Sequence, residues 1–285
     1  MPFRVTIVAL TLVLKVAVVR SGSFFMLEQE ESEYETTSIM IGHFQCDRDK
    51  SCSQVRYNKE AKQFKLTKFG DKSSKTDEEN EMIWKKETFG SCEEALQPGS
   101  STSVYWIKHN NMLAPIKVRC ERDQGKTFAV FDHDSEERIQ VKGFETPGSY
   151  KRVINYGSPI KDIVEFITSS VACKQFTRID CRYMGLTFAG EENPFYGYLV
   201  DRNGTRMEYL AGGPKDGQGC SCGITNSCAL SSEQCNCDAN DSAWRFDEGY
   251  VTEKKRLPLT EVRLGDTGDS GEEGAHTIGK LYCEE

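Results

Sequence analysis

The hydrophobic and polar positions divide the chain into stretches of different character. Val5 to Leu14 is an apolar run of ten, behind Arg4 and ahead of the small residues Ser21, Gly22 and Ser23. That order predicts a signal peptide over residues 1–23, because Lys15 and Arg20 interrupt the run too early for a helix crossing ~30 Å of hydrocarbon. Met26 to Glu35 carries five glutamates and predicts a flexible lead-in. Within a small block over 24–69, apolar positions alternate in Cys52–Asn58 and in Gln63–Phe69. The alternation predicts two short strands around an Asn58-Lys59-Glu60 turn. Two strands are barely stable alone, so the block needs a bridge between Cys46 and Cys52 or docking onto something larger. Residues 70–88 are expected to be a linker, since Gly70 to Asn80 is almost wholly polar.

From Gly90 onward, short apolar runs are separated by Gly, Pro, Asn and Asp. Strands are predicted at Val104–Lys108, Ile116–Cys120, Lys126–Phe131, Tyr198–Asp201, Met207–Leu210 and Glu261–Gly265. One helix is predicted over Ile160–Ala172, where Ile160, Ile163, Val164, Ile167 and Val171 recur at helical spacing after a Ser158-Pro159 start. Mixed elements with long loops predict an α+β fold.

Composition narrows the function. Of 285 residues, 38% are hydrophobic and 10% aromatic, enough for a packed core. With 36 basic against 44 acidic residues the formal charge is −8, which argues against nucleic acid as a partner. All 12 cysteines lie beyond the signal peptide, and an even number in a secreted chain predicts a disulfide framework. The later sequence holds no stretch approaching 18 apolar residues, so no membrane span is expected in the mature protein.

Gly268-Asp269-Ser270-Gly271 imitates the nucleophile motif of trypsin-like proteases. Glu272 and Glu273 follow where small residues would shape an oxyanion pocket, and none of the four histidines has a protease-like context. No catalysis and no catalytic residue is predicted, with a secreted hydrolase the remote alternative. The cysteines between Cys220 and Cys237 could form a thiolate site, but an oxidising compartment favours bridges. Calcium suits the acidic residues better, because it takes six to eight hard oxygens. Hard oxygens lie close together in Asp238, Asn240 and Asp241 and in Asp266, Asp269, Glu272 and Glu273, of which Asp238, Asp241, Asp266 and Asp269 are the candidate ligands, with a solvated acidic loop as the competing reading. Asp132-His133-Asp134 offers a further chelating triplet that a strand-flanking turn explains equally well. Asn203 and Asn240 lie in glycan-acceptor sequences, and a glycan on Asn240 would compete with calcium there.

A resemblance rests on Gly90-Ser91-Cys92-Glu93-Glu94-Ala95-Leu96, Val104-Tyr105-Trp106-Ile107 and Pro115 to Cys120. It continues in Cys220-Ser221-Cys222-Gly223, Cys228, Cys235-Asn236-Cys237-Asp238, Trp244, Leu257-Pro258-Leu259 and Gly265-Asp266-Thr267. This order is similar to the fibrinogen C-terminal-like module of contactin-associated proteins, over residues 89–285. The resemblance implies a disulfide-rich α+β domain with a twisted antiparallel sheet, and bridges Cys92–Cys120 and Cys173–Cys181. Cys220, Cys222, Cys228, Cys235, Cys237 and Cys283 are then left to pair among themselves. The members of each Cys-x-Cys unit should send their sulfurs to different partners, with Cys283 reaching back to this knot. Gln124 to Phe128 replaces the usual glycine-glycine-tryptophan, and the lectin-type calcium and acetyl-sugar pocket has no counterpart. The Cys46 block faintly resembles a PAN or apple module, and the overall make-up resembles organic-matrix proteins of stony-coral skeletons.

These readings predict a secreted, non-catalytic protein of adhesion or extracellular-matrix binding, located in the matrix. The alternative is an acidic calcium- or mineral-associated skeletal matrix protein. Expected partners are extracellular proteins or glycans, or a mineral surface.

Overall fold

The computed structural model describes residues 33–69, 81–96, 98–99, 102–110, 112–188, 195–207, 209–210, 212–213 and 219–285. The predicted signal peptide and the polar stretch 70–80 lie outside the described residues. The chain divides into two compact units, the first ending at Glu87 and the second running from Thr88 to Glu285.

The first unit consists of helix α1 (Glu33–Arg48) and strands β1 (Cys52–Asn58), β2 (Gln63–Lys68) and β3 (Glu81–Lys85) in the order β2-β1-β3. Strands β1 and β2 are the pair that the alternation predicts. Two expectations are corrected. The acidic lead-in gives way to a helix from Glu33, and residues 81–85, expected to be linker, form the third strand. Trp84 explains β3, since its burial beside Val55, Tyr57 and the Cys46–Cys52 bridge supplies the apolar contact that two strands lack.

The second unit begins with α2 (Cys92–Ala95), whose first turn is capped by the Ser91 hydroxyl accepting from the Glu94 N–H. There follow β4 (Thr102–Ile107), β5 (Ile116–Asp123), β6 (Lys126–Phe131), β7 (Ile139–Val141), β8 (Tyr150–Val153), α3 (Ile160–Ser169), β9 (Ala172–Arg182), β10 (Tyr198–Val200), β11 (Arg206–Met207), α4 (Ser221–Thr225), β12 (Arg245–Val251), β13 (Glu261–Leu264) and β14 (Glu273–Glu284). A seven-stranded sheet runs β12-β9-β14-β6-β5-β4 with β7 also on β14, and a four-stranded sheet runs β11-β10-β13-β8. One apolar cluster joins Val118, Ala129, Phe131, Ile179 and Leu281 of the large sheet, Leu199, Val262 and Leu264 of the small one, and Ile163, Phe166 and Ile167 of α3. The architecture is a disulfide-rich α+β unit.

The helix ends at Ser169, earlier than its periodicity predicts, and Val171 is 74% exposed. The backbone turns extended at Ser170 and enters β9, so Phe166 and not Val171 completes the buried face.

The bridges are Cys92–Cys120, Cys173–Cys283, Cys181–Cys237, Cys220–Cys235 and Cys222–Cys228. The pairing Cys173–Cys181 is therefore corrected. Both residues sit on β9, eight positions apart, and an extended strand separates such residues by ~26 Å. Cys173 instead faces Cys283 directly across the β9–β14 ladder, and Cys181 reaches the knot at Cys237. Cys283 is thus not a partner of the other late cysteines. In both Cys-x-Cys units the two sulfurs go to different partners. Asp247 fastens the knot to β12, accepting from the backbone N–H groups of Asn236 and Cys237, each at 2.9 Å.

Candidate functional site

Side chains alternate across the large sheet, so the residues that flank the core positions share its other face. Register places Phe176 opposite Tyr250, Arg178 opposite Glu248 and Lys174 opposite Tyr282. Tyr282 pairs in turn with Val130, and Glu284 with Phe128. The result is a band of rings and cations across four strands. Phe176 and Tyr250 meet edge to face at 5.4 Å, and Phe128 meets Tyr282 in the same way at 6.1 Å. Between these pairs, the Lys174 ammonium lies 5.1 Å from the Tyr250 ring centre and 5.6 Å from that of Phe128. Further along β12, the Arg178 guanidinium stacks 3.9 Å over Phe246, and Arg138 lies 5.7 Å over Trp244.

Tyr250, Phe246 and Trp244 are each between 43% and 48% exposed, so the band is open to solvent. Most of its charges are satisfied within the molecule. Arg178 binds Asp180 and Glu248, Arg119 binds Asp132, and Lys126 binds Glu284. Lys174 is different: among the described residues no carboxylate lies within 4.0 Å of it, and its ammonium rests on ring faces alone. Sequence reasoning missed this band. Its signal is the alternation in Lys174-Gln-Phe-Thr-Arg178 and in Phe246-Asp-Glu-Gly-Tyr250.

A second feature lies at the opposite end of β9 and β14, where the chain enters β14 through the loop Asp266–Glu272. Gly265 brings this loop against residues 144–146, and a Cβ there would fall 2.4 Å from the Thr146 carbonyl oxygen. Backbone bonds from Asp266 to the Glu145 carbonyl (3.0 Å) and from Thr267 to that of Phe144 (2.9 Å) join the two segments. Carboxylate oxygens of Glu145, Asp266 and Glu272 thereby come within 4.8 Å of one another. Buried Asp266 also accepts from the Gly185 N–H at 2.6 Å. Burial and the neighbouring charges of Glu272, Glu145 and Asp269 push its carboxyl up to about 6. Burial, then the charges of Glu272 and Asp269, also raise Glu145. Such a trio can share protons or offer oxygens to a hard cation.

The four predicted calcium ligands do not converge on one place. Asp238 accepts from the Leu186 and Thr187 N–H groups and from the Thr187 hydroxyl, pinning the segment after β9. Asp241 holds Arg245 through two bonds and accepts from the Ala243 N–H. Asp269 is exposed on the loop beside Asp266 and Glu272, while Glu145, distant in sequence, is the residue the prediction lacked. Asp134 binds Asn155 and Arg152, which fits the turn reading of the Asp132 triplet. Cys220 and Cys235 approach Asp247 but are joined as a disulfide. Ser270 is exposed on the acidic loop, and both Asn203 and Asn240 are exposed. Asn203 sits in a turn closed by the Asp201 carboxylate.

No protein-family model matches the chain. Neurexin-4 of Drosophila melanogaster is 34% identical to it over 179 residues, covering 60% of this chain and 14% of Neurexin-4. The chain thus spans about one seventh of that relative's length. Six disulfides and this similarity together point to an extracellular or cell-surface protein. Among the described residues no helix is long and apolar enough to cross a membrane.

Proposed function

We propose that this chain is a secreted, non-catalytic binding protein of the extracellular matrix or cell surface, acting through the ring and cation band of its large sheet. The observation that carries this reading is the group of exposed Tyr250 and Lys174 with half-buried Phe176, Phe128 and Tyr282, backed by a bridged sheet. Tyrosine and arginine are what protein contact surfaces concentrate at their energetic centres, and the band carries Tyr250, Tyr282 and Arg178. Similarity to Neurexin-4 and the fibrinogen-like order of cysteines support an adhesive role. The test is retention of the purified full chain on cell-free extracellular matrix and on cell layers. A Phe176→Ser/Tyr250→Ser variant, checked by thermal melting, is expected to lose at least about tenfold in retention. Equal retention would remove the band from the reading, and no retention of the unaltered chain would remove the reading itself.

A second reading, calcium association, is favoured by one observation, the convergence of Glu145, Asp266 and Glu272. Specific binding should raise the melting temperature in proportion to the logarithm of free calcium, and Glu145→Gln/Glu272→Gln should abolish the rise. A melting temperature indifferent to calcium would dismiss it.

A further inference from the structure

The reading of the sheet band as a contact surface is the premise here, and from it we infer that its occupant is the acidic loop of a second copy of this chain. Two sets of charges of opposite sign, neither with an ion-pair partner among the described residues, lie at opposite ends of the same strand pair. At one end Lys174 has ring faces around its ammonium and no carboxylate within 4.0 Å among the described residues. At the other, Glu145, Asp266, Asp269 and Glu272 crowd together with no Lys, Arg or His nitrogen within that distance among the described residues, and Asp266, Glu145 and Glu272 accept from the backbone N–H groups of Gly185, Gly268 and Asp269. Arg182, at the loop's end of β9, lies instead over the Tyr183 ring at 5.9 Å. Glu145 and Asp269 are exposed and Glu272 is half-buried, so the loop can meet a partner.

One molecule cannot satisfy both groups by itself. Lys174 pairs with Tyr282 at one end of the ladder and Arg182 with Glu273 at the other, eight residues away, or ~26 Å along the strand. Two copies placed end to end can satisfy them. An incoming carboxylate would neutralise Lys174 while Phe176 and Tyr250 exclude water around the pair, which strengthens the attraction over that of an open surface pair. The incoming ammonium would relieve the mutual repulsion of the loop carboxylates. The contact joins two different surfaces, so each added copy leaves one free surface at either end, and the assembly is an open row and not a closed dimer.

Sedimentation velocity of the full chain, with a chelator present to strip divalent cations, tests this over a roughly hundredfold concentration range. Expected are species growing with concentration and dispersing as salt rises, because the contact is an ion pair at a surface. Lys174→Glu and Glu272→Lys should each weaken self-association by at least about tenfold. Mixing the two variants is the decisive arm. The first keeps its loop and the second its band, and the two altered surfaces again carry opposite charges, so the mixture should regain the growth with concentration that neither variant shows alone. The double variant should assemble with itself again. Lys174→Gln and Glu272→Gln, with thermal melts, guard against a misfolded charge reversal. A chain that stays monomeric throughout, single variants that assemble normally, or a mixture that associates no better than either variant alone would each overturn the inference. If the unaltered chain is monomeric yet still needs Phe176 and Tyr250 for retention on matrix, the binding function stands and only the partner is wrong.

Discussion

Gln175 shows what a single buried amide does for this fold. It is fully buried on β9, and its amide donates to the Gly279 carbonyl at 3.1 Å and to the Tyr156 hydroxyl at 2.8 Å. Its carbonyl accepts from the Leu259 N–H at 3.1 Å. One side chain thus ties the irregular step in β14 to the loop before β13. Gln175→Leu keeps the volume and strands these partners, so a loss of about 2–4 kcal/mol in denaturant unfolding is expected. A loss under ~1 kcal/mol would show that the partners find water or each other. Asp266 and His276 set opposing pH trends. Asp266 titrates at about 6 in the fold against an ordinary 3.8, so its contribution is fully present below the lower value and is lost as pH rises through the higher. Burial lowers His276 from 6.5 to about 4, so its contribution is present above pH 6.5 and is lost as pH falls toward 4. Asp266→Asn removes the first trend alone, and Asn suits the left-handed backbone there, φ 52°. The variant should melt higher than the parent at pH 7, with stability falling steadily from pH 7 to 4. An unchanged pH profile would mean that the Asp266 carboxyl titrates normally.

At the scale of elements, β9 and β14 hold the second unit together, and they are the strands least legible from sequence. Helix α3 and strand β6 follow their hydrophobic patterns because each turns one apolar face to the core. In β9 the core face carries Gln175 and Thr177 while Phe176 points outward, which inverts the pattern used to recognise a half-buried strand. Strand β14 opens on an acidic, glycine-rich run and contains Gly274 and Gly279, so its sequence reads as loop although ladders on both sides supply its pairing. The acidic trio was half legible for the same reason: Asp266 and Glu272 are neighbours in sequence, but Glu145 arrives through backbone pairing across 121 positions. The bridge Cys173–Cys283 locks the two strands where their ladder ends. Non-reducing peptide mapping should recover Cys173 with Cys283 and Cys181 with Cys237. Replacing Cys173 and Cys283 together by serine should cost about 2–4 kcal/mol, chiefly by freeing the unfolded chain. A peptide joining Cys173 to Cys181 would refute the strand assignment of β9 itself.

At the scale of the molecule, the two units differ in what stabilises them. The first buries Val55, Tyr57 and Trp84 around one bridge, whereas the second buries a continuous cluster across two sheets and holds five bridges. Small units lose proportionally more of their apolar surface to water, so the first should be marginal when alone and the second self-sufficient. The dividing point falls after Glu87, since Trp84 in β3 is part of the first core and Cys92 part of the second. A fragment from Thr88 to Glu285 should therefore melt in one cooperative step, within a few degrees of the main transition of the full chain. Reducing agent should lower that transition sharply. A fragment from Met26 to Glu87 should unfold at much lower temperature and lose all structure on reduction, because Cys46–Cys52 is its one cross-link among the described residues. Should the larger fragment melt without cooperativity, the first unit would be a required part of the second unit's core, and the sheet band would have to be studied only in the intact chain.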